Sequence, residues 1–480
     1  MKRFWLVLLS LGLVLAFSAS AMAVDVKFSG SFYAAGMYQD KTTFSNTAWS
    51  KYYITNATGG TTDTGHGSVG ASTAFYYQRL RLQTDFIVSP GLKLVTRFDA
   101  LDRIWGGVRG GDDYSSDGSM ERQNIAFDWA YISYTSPIGL FEVGYMADNG
   151  WGTVFGNNAI NGASIGAITY TVPVGPLFFN VKIGKNQDFS NSAILTNNVT
   201  DNDNDSYSAC LIYAPNKDLQ IGLLGAYKRV AGGRADTSVE PYPMPDYLLA
   251  YAYSVNPYAK AKFGPIAVEA EVNYAFGKAT FEYDSMAYPH GSSLDIANLS
   301  AYVNAVADFG IAYVGGTFAY VSGDDPTTST KIEGGLVDGG VDFTPCLIMF
   351  GYERNKYAGP IAGYGYLPSG YLVGSLGPAP AGGVMSNAWF GQVKGGVRPI
   401  AALDINASVS YATADKKPSF VNSSDYGWEV DVTGTYKLTN NLSYMLGGAY
   451  FFTGNYYKGW SDSNVLNNDF LLINKLTLTF

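Results

Sequence analysis

Across residues 470–480 apolar side chains recur at every second position: Phe470, Leu472, Leu476, Leu478 and Phe480. Asn474 alone interrupts that face, while Lys475, Thr477 and Thr479 occupy the other. A period of two is that of a β-strand, whose successive side chains point to opposite sides of a sheet. The same alternation runs through the body of the chain. Residues 24–39 set Val26, Phe28, Phe32 and Ala34 against Asp25, Lys27, Ser29 and Ser31. Arg79, Arg81, Gln83 and Asp85 share one face of 78–86, and Lys93, Arg97 and Asp99 one face of 92–104. Leu403, Ile405, Ala407 and Val409 oppose Asp404, Asn406 and Ser408, while Trp428, Val430, Val432 and Tyr436 oppose Glu429, Asp431, Thr433 and Lys437. Each predicted strand has one side suited to hydrocarbon and one suited to water.

Turn chemistry counts the strands. Pro, Gly and Asn mark tight connections at Ser89-Pro90-Gly91, Ser136-Pro137-Ile138-Gly139, Pro173-Val174-Gly175-Pro176 and Ala214-Pro215-Asn216. Four more follow at Phe263-Gly264-Pro265, Asp308-Phe309-Gly310, Pro399-Ile400-Ala401 and Thr439-Asn440-Asn441. Eight hairpin turns join sixteen strands, and the first and last strands bring the number to 18. The predicted fold is all-β, an antiparallel transmembrane barrel with short turns at one end and long loops at the other. Residues 323–386 are taken as one long loop; its apolar segment 346–350 leaves 16 or 20 strands open. The loops 40–70 and 186–205 are rich in Thr and Ser, and in Asn and Asp, respectively.

The N-terminus and the hydropathy turn this pattern into a membrane argument. Lys2 and Arg3 precede an apolar run over 4–17, and Ala21 and Ala23 form a small-x-small cleavage site, so residues 1–23 read as a secretory signal peptide. Residues 24–480 then form a single barrel domain. After Ala23 no apolar run reaches the roughly 18 residues a spanning helix needs. A closed barrel is the other way to pair every backbone group within a bilayer. Aromatics at 15%, with 37 Tyr, suit two interfacial girdles. The strand that stops on Phe480, with Leu476 and Leu478 on its apolar face, resembles the C-terminal assembly signal of Gram-negative outer-membrane β-barrels. That resemblance implies the outer membrane, with lipopolysaccharide and the barrel-assembly machinery as partners.

Charge and cysteine narrow the function. Removing Lys2 and Arg3 from the 31 basic residues leaves 29 against 40 acidic ones, a net charge of −11. Such a balance disfavours nucleic acid and modestly favours cations in a wet lumen. Cys210 and Cys346 lie in an exported chain where a disulfide is permitted, and their spacing does not show whether they meet. No C-x-x-C-H occurs, so covalent haem is not expected and no cofactor is implied. An enzyme is not expected either, because the only histidines, His66 and His290, fall in predicted external loops. The run 201–205 is acidic, but Ser206 and Ile212 stand where a calcium loop of the EF-hand kind needs Gly and Glu, so it reads as a solvated loop.

Candidate pore chemistry concentrates after the fifth strand. Glu142 lies on a short strand that leads into Met146-Ala147-Asp148-Asn149-Gly150-Trp151-Gly152-Thr153-Val154-Phe155-Gly156. By its position and its Gly-rich aromatic content this loop resembles the third loop of the trimeric general porins. The resemblance implies an inward-folded constriction containing Asp148, Trp151 and Phe155, and a homotrimer, with Gly30, Ala34 and Gly36 offering a flat outer face. Those porins set several acids on the loop; here Asp148 stands alone. Arg79, Arg81 and Arg97, with Asp99 beside them, are either pore-lining charges or structural pairs. Lys260 and Lys262 face inward opposite Glu269 and Glu271 and invite the same two readings. The stretches Ser322-Gly323-Asp324-Asp325-Pro326 and Asp342-Phe343-Thr344-Pro345-Cys346 resemble porins of anaerobic metal- and sulfate-reducing bacteria. The expected function is passive diffusion of small hydrophilic solutes and ions. A solute-specific channel, and a structural barrel that docks or houses an electron-transfer cytochrome, are the alternatives.

Overall fold

The computed structural model describes residues 24–44, 53–55, 61–63, 72–106, 125–148, 150–188, 203–231, 248–281, 292–359, 384–419, 421–459 and 461–480. The signal segment with Ala21 and Ala23, together with Asn149, His66, His290, Asp201 and Asn202, lies outside them.

Eighteen antiparallel strands follow one another round a closed sheet. They are β1 (Asp25–Gln39), β2 (Thr73–Ser89), β3 (Leu92–Ile104), β4 (Ile125–Ser136), β5 (Gly139–Ala147) and β6 (Ser164–Val174). Next come β7 (Leu177–Gln187), β8 (Asn204–Asn216), β9 (Leu219–Val230), β10 (Leu248–Phe263), β11 (Ile266–Phe281) and β12 (Ser293–Asp308). The ring ends with β13 (Ala312–Val321), β14 (Ala388–Ile400), β15 (Leu403–Thr413), β16 (Asp425–Lys437), β17 (Leu442–Thr453) and β18 (Asp469–Thr479). β1 pairs with both β2 and β18, which closes the barrel and removes every edge. Phe480 extends that seam, exchanging backbone hydrogen bonds with Gly30 at 2.8 and 3.1 Å. All eight predicted turns join neighbouring strands at one end. The fourth, between β8 and β9, moves by two residues, because Ala214 and Pro215 belong to a bulged end of β8 and the turn falls on Lys217 and Asp218.

Why these residues form a barrel is visible on its outer face. Aliphatic side chains such as Val143, Ile168, Leu223, Val255, Val393, Val430 and Leu446 point outward at mid-strand. Aromatic pairs lie towards the loop end, as in Tyr76–Trp105 (5.4 Å between centroids), Tyr253–Phe276 (5.7 Å) and Tyr411–Trp428 (4.7 Å). Phe141 and Tyr170 stack at 4.6 Å near the turn end. An aliphatic band between two aromatic belts is the profile of a bilayer. Leu472, Leu476, Leu478 and Phe480 are outward and Lys475 is inward, as the alternation predicts.

One expectation about that face fails. Gly30 and Gly36 do not form a bare flat strip, since the Phe480 ring covers the first and the Tyr76 ring the second. A Cβ on Gly36 would lie 2.8 Å from Tyr76 Cε1, so glycine there makes room for a neighbour's ring.

Among its described residues, the long excursion between β13 and β14 adds no barrel strand. Lys331 and Ile332 pair in parallel with Asp295 and Ile296 of β12, and Tyr352–Ala358 form a short helix, α1. Residues 346–350 are irregular, and the count stays at 18.

Candidate functional site

The segment between Ala147 and Ser164 crosses the interior. Trp151 meets Tyr258 of β10 edge-on, with centroids 4.9 Å apart, and its indole N–H donates to the Asn256 carbonyl at 2.9 Å. Thr153 gives its backbone N–H (2.6 Å) and its hydroxyl (2.7 Å) to Glu271 of β11. Phe155 stacks on Tyr302 of β12 at 5.2 Å, the two planes 2° apart. Gly152 has φ +77°, and a Cβ there or on Gly156 would strike the Glu271 carboxylate. These glycines let the backbone approach the carboxylate that anchors it.

The returning half of the loop lands on the basic wall. Arg97 donates to the carbonyls of Ala159 (3.2 Å) and Ile160 (3.4 Å), and Arg81 also donates to Ile160. Arg79 donates to Asn161 Oδ1 at 3.0 Å. Arg81 grips Asp99 with two bonds of 2.7 Å, while Arg97 binds Asp128 at 3.0 Å and lies 3.6 Å above the Trp129 ring. The three arginines thus face two carboxylates and a row of carbonyl oxygens. The Arg81 and Arg97 forks are largely satisfied, which matches a pairing role better than a free charge, whereas the Arg79 Nε is buried without a partner.

A second segment, which sequence reasoning left on the outside, meets the first in the lumen. Asp342 accepts from Ile160 N (3.0 Å), Asn161 N (3.0 Å) and Asn161 Nδ2 (3.1 Å). Val341 N donates to Asn158 Oδ1 at 2.8 Å, and Phe343 meets Phe155 edge-on. Farther on, Gln392 holds the Pro345 carbonyl at 2.8 Å, and Glu429 takes the backbone N–H groups of Ile348 (2.7 Å) and Met349 (2.6 Å). In α1, Glu353 accepts from Tyr77 at 2.8 Å and pairs with Lys475. Lys356 and Tyr357 both reach Asp102 at 2.5 Å, and Tyr33 meets the Tyr357 hydroxyl at 2.9 Å. Burial, with Tyr33 and Asp102 beside it, holds the Tyr357 phenol protonated, well above its ordinary range.

Asp102 reaches this position through a bulge. Leu101 has φ +53° and the β2–β3 register shifts there, so inward residues change from Arg97 and Asp99 to Asp102 and Ile104. Apolar side chains on the inner wall complete the seat: Tyr33, Met37, Phe390, Phe451, Leu471 and Ile473 pack against Ile348, Met349 and Tyr357.

Among the described residues, two spaces lie beside these loops. One, of about 480 Å³, lies between Trp151 and the β6–β9 wall, with Asn180, Lys182 and Gln220 on it. The Lys182 ammonium is turned to the Ala147 (2.9 Å) and Asp148 (2.5 Å) carbonyls. The other, of about 270 Å³, is bounded by Asp342, Lys394, Asn406 and Ser408.

The predicted residues fall into two groups. Trp151, Phe155, Arg79, Arg81, Arg97 and Asp99 converge on the 148–163 loop. Glu142, Asp148, Lys260 and Lys262 do not join them: Glu142 accepts from Thr169 (3.4 Å), and the Asp148 carboxylate takes Asn186 (3.3 Å). Lys260 stands opposite Glu269 in register, whereas Glu271 stands opposite Tyr258 and serves the loop, not a lysine. Cys210 and Cys346 are both free and buried, so no disulfide joins them. In the acidic run, Asp203 and Asp205 pair with Lys185 at 2.7 and 2.9 Å. Glu271 and Glu429 were placed on inward faces, but their loop partners Thr153, Ile348 and Met349 were not foreseen, and no role was foreseen for Asp342 or Asp102. For the partners of Glu429 and Asp102 in the second segment the signal was the apolar inner-face pair Leu471 and Ile473, which a water-filled wall does not call for.

No family model matches the chain, and no curated protein matches it. Among solved structures it is similar to OccK11 (OpdR) of Pseudomonas aeruginosa, at 11% identity over 95% of this chain and 96% of that one, with a TM-score of 0.49. The outer membrane channel DcaP of Acinetobacter baumannii is also 11% identical, with 96% and 99% covered and a TM-score of 0.42. An anion-selective porin from Comamonas acidovorans gives 11%, 95% and 99%, and 0.43. At this identity the likeness concerns the course of the chain and says nothing of solute.

Proposed function

We propose that the chain is an outer-membrane channel for passive diffusion of small hydrophilic solutes, with its aperture set by the inward loop 148–163. The observation that carries this is a closed barrel whose outer face is apolar between aromatic belts and whose inner wall carries charge and amides. An outer face of that kind is stable only against hydrocarbon. An inward polar wall keeps water in whatever space the loops leave. The signal segment 1–23 and the Phe480 strand support export to the outer membrane, where lipopolysaccharide and the assembly machinery would be met. The inward loop after β5, in the place it takes in trimeric general porins, supports a homotrimer. Native mass in mild detergent tests this: a clean monomer would refute it.

A second reading, a solute-specific channel, is favoured by the 341–358 segment. It fills part of the lumen with buried side chains and leaves spaces of about 480 and 270 Å³ beside the loops. A planar-bilayer recording of the purified protein distinguishes the readings. Large ohmic steps support a general porin, and small steps blocked by one solute support the specific channel. A silent barrel would overturn both and leave a scaffold of the cytochrome-docking kind.

A further inference from the structure

Cys346, Glu429 and Asp431 meet where the lumen segment docks on β16. The Cys346 sulfur and one carboxylate oxygen from each acid lie within 4.8 Å of one another. All three side chains are buried, at 6%, 0% and 5% exposure. Both Glu429 oxygens are oriented by the Ile348 and Met349 N–H groups, and Ser408 donates to Asp431 Oδ2 at 3.2 Å. Asp431 Oδ1 is buried with no hydrogen-bond partner. Among the described residues, neither carboxylate has a basic partner within 4.0 Å.

Two acids buried together without a counter-charge are costly, by several kcal/mol or more if both ionise. Protons or a cation must supply the positive charge. A thiol beside two carboxylates is a donor set for a borderline divalent ion, since sulfur discriminates against magnesium and calcium while oxygen and sulfur together suit zinc. Ligand atoms on one zinc ion sit roughly 3.5 Å apart, so an adjustment of about 1 Å closes the cluster round an ion. The N–H groups on Glu429 and the Ser408 hydroxyl would act as the outer partners that hold such ligands in place.

We infer that Cys346, Glu429 and Asp431 form a binding site for a zinc-type divalent cation that fastens the lumen segment to the barrel wall. Binding exchanges protons for the metal: the Cys346 S–H bond breaks, a sulfur–metal bond forms, and the thiol proton leaves to solvent together with the proton the two buried carboxyls hold in the absence of an ion. The thiolate and not the thiol binds the ion, so protons compete with the metal and affinity falls as the solution becomes more acidic.

The test uses the full chain purified in detergent, treated with chelator and titrated with Co²⁺. The expected result is one equivalent per chain, a thiolate-to-cobalt charge-transfer band, proton release, and displacement by Zn²⁺ but not by Mg²⁺ or Ca²⁺. Cys346→Ser should abolish the band and weaken binding by roughly a hundredfold or more, beyond what loss of an outer partner does. Cys210→Ser, which removes the other thiol, should keep both. Should Cys346→Ser lose its β-sheet circular dichroism, Asp431→Asn and zinc protection of Cys346 from a thiol reagent in the Cys210→Ser protein replace it. Absence of saturable binding, binding without the band, or equal binding by Cys346→Ser would overturn the inference. These readouts do not depend on whether the barrel conducts.

Discussion

Asp342→Asn probes whether the two lumen segments act as one partition. The Asp342 carboxylate accepts three hydrogen bonds, at 3.0, 3.0 and 3.1 Å, from Ile160 and Asn161. On the far side of the same peptide, Arg81 and Arg97 hold the Ile160 carbonyl. The stretch 159–161 is therefore clamped between a cationic wall and an anionic partner. Asparagine has the same volume but removes the charge and turns one acceptor into a donor. A hydrogen bond to a charged group contributes about 1.5–3 kcal/mol, against about 0.5–1.5 for a neutral one. Two weakened bonds and one lost bond give a gross loss of about 4 kcal/mol, of which solvent at the partly exposed Ile160 leaves about 2. At about 1.4 kcal/mol per factor of ten, the clasp should open on the order of 30 times more often. It should not open fully, because Val341 still holds Asn158. Single-channel recording should show added open-channel noise and brief larger steps, with the barrel's circular dichroism unchanged. Conductance and noise identical to the parent protein would refute the idea that Asp342 joins the two segments.

Other predictions follow from the same geometry. Replacing Arg79, Arg81 and Arg97 together by Gln removes the partners of Asp99 and Asp128 and leaves 159–161 held from the Asp342 side alone; reversal potentials should move towards cations and conductance should rise. A charge at the wall acts on an ion within about 8 Å at physiological salt, so an unchanged reversal potential would mean that ions pass elsewhere. Cysteine at Leu478 should react with lipid-phase reagents and cysteine at Lys475 with aqueous ones; the opposite pattern would overturn the register. Half-buried Asp338, in the lumen segment, has its carboxyl pushed up to about 7 by burial, its own N–H and Lys228 opposing this only in part. A raised carboxyl pKa stabilises the docked segment at low pH, and that contribution is lost as pH climbs from 3.8 to about 7. Channel noise should rise across that window and level off above it, and Asp338→Asn should stay at the acid level throughout.

The barrel was legible because its rule is local. Alternation specifies which face of each strand meets hydrocarbon, and turn residues specify where the chain reverses. Those two signals yield 18 strands and the outward set Leu472, Leu476 and Leu478 with no knowledge of distant contacts. The first lumen loop was legible in part, through its place after β5 and its Trp and Phe among glycines. What those side chains touch was not, because Tyr258, Glu271 and Tyr302 lie more than a hundred residues away and no periodicity links them to Trp151, Thr153 and Phe155. The arginine cluster shows the limit differently. Its inward orientation followed from alternation, but its pairing depended on a backbone crossing the lumen, and carbonyl oxygens leave no mark in sequence.

The second lumen segment stayed hidden for a more specific reason. Polar and irregular stretches normally read as exposed loops, and 323–386 has that composition. The contrary evidence sat on the strands it packs against. Tyr33, Met37, Phe451, Leu471 and Ile473 place apolar side chains on an inner face that Lys475 and Asp469 mark as polar elsewhere. In a water-filled barrel such residues would expose apolar surface at about 25 cal/mol per Å², a cost that falls away once Ile348, Met349 and Tyr357 cover them. An inner face that turns apolar over the loop-side half of adjacent strands therefore signals a seated segment. The bulge at Leu101 points the same way, because it re-aims Asp102 at Lys356 and Tyr357, where a regular strand would have turned it outward. Pairing of the same residues without the bulge would turn Leu101 inward and Asp102 away and leave the Tyr357 hydroxyl only Tyr33 as a partner, so the seat depends on one inserted residue as much as on its apolar patch.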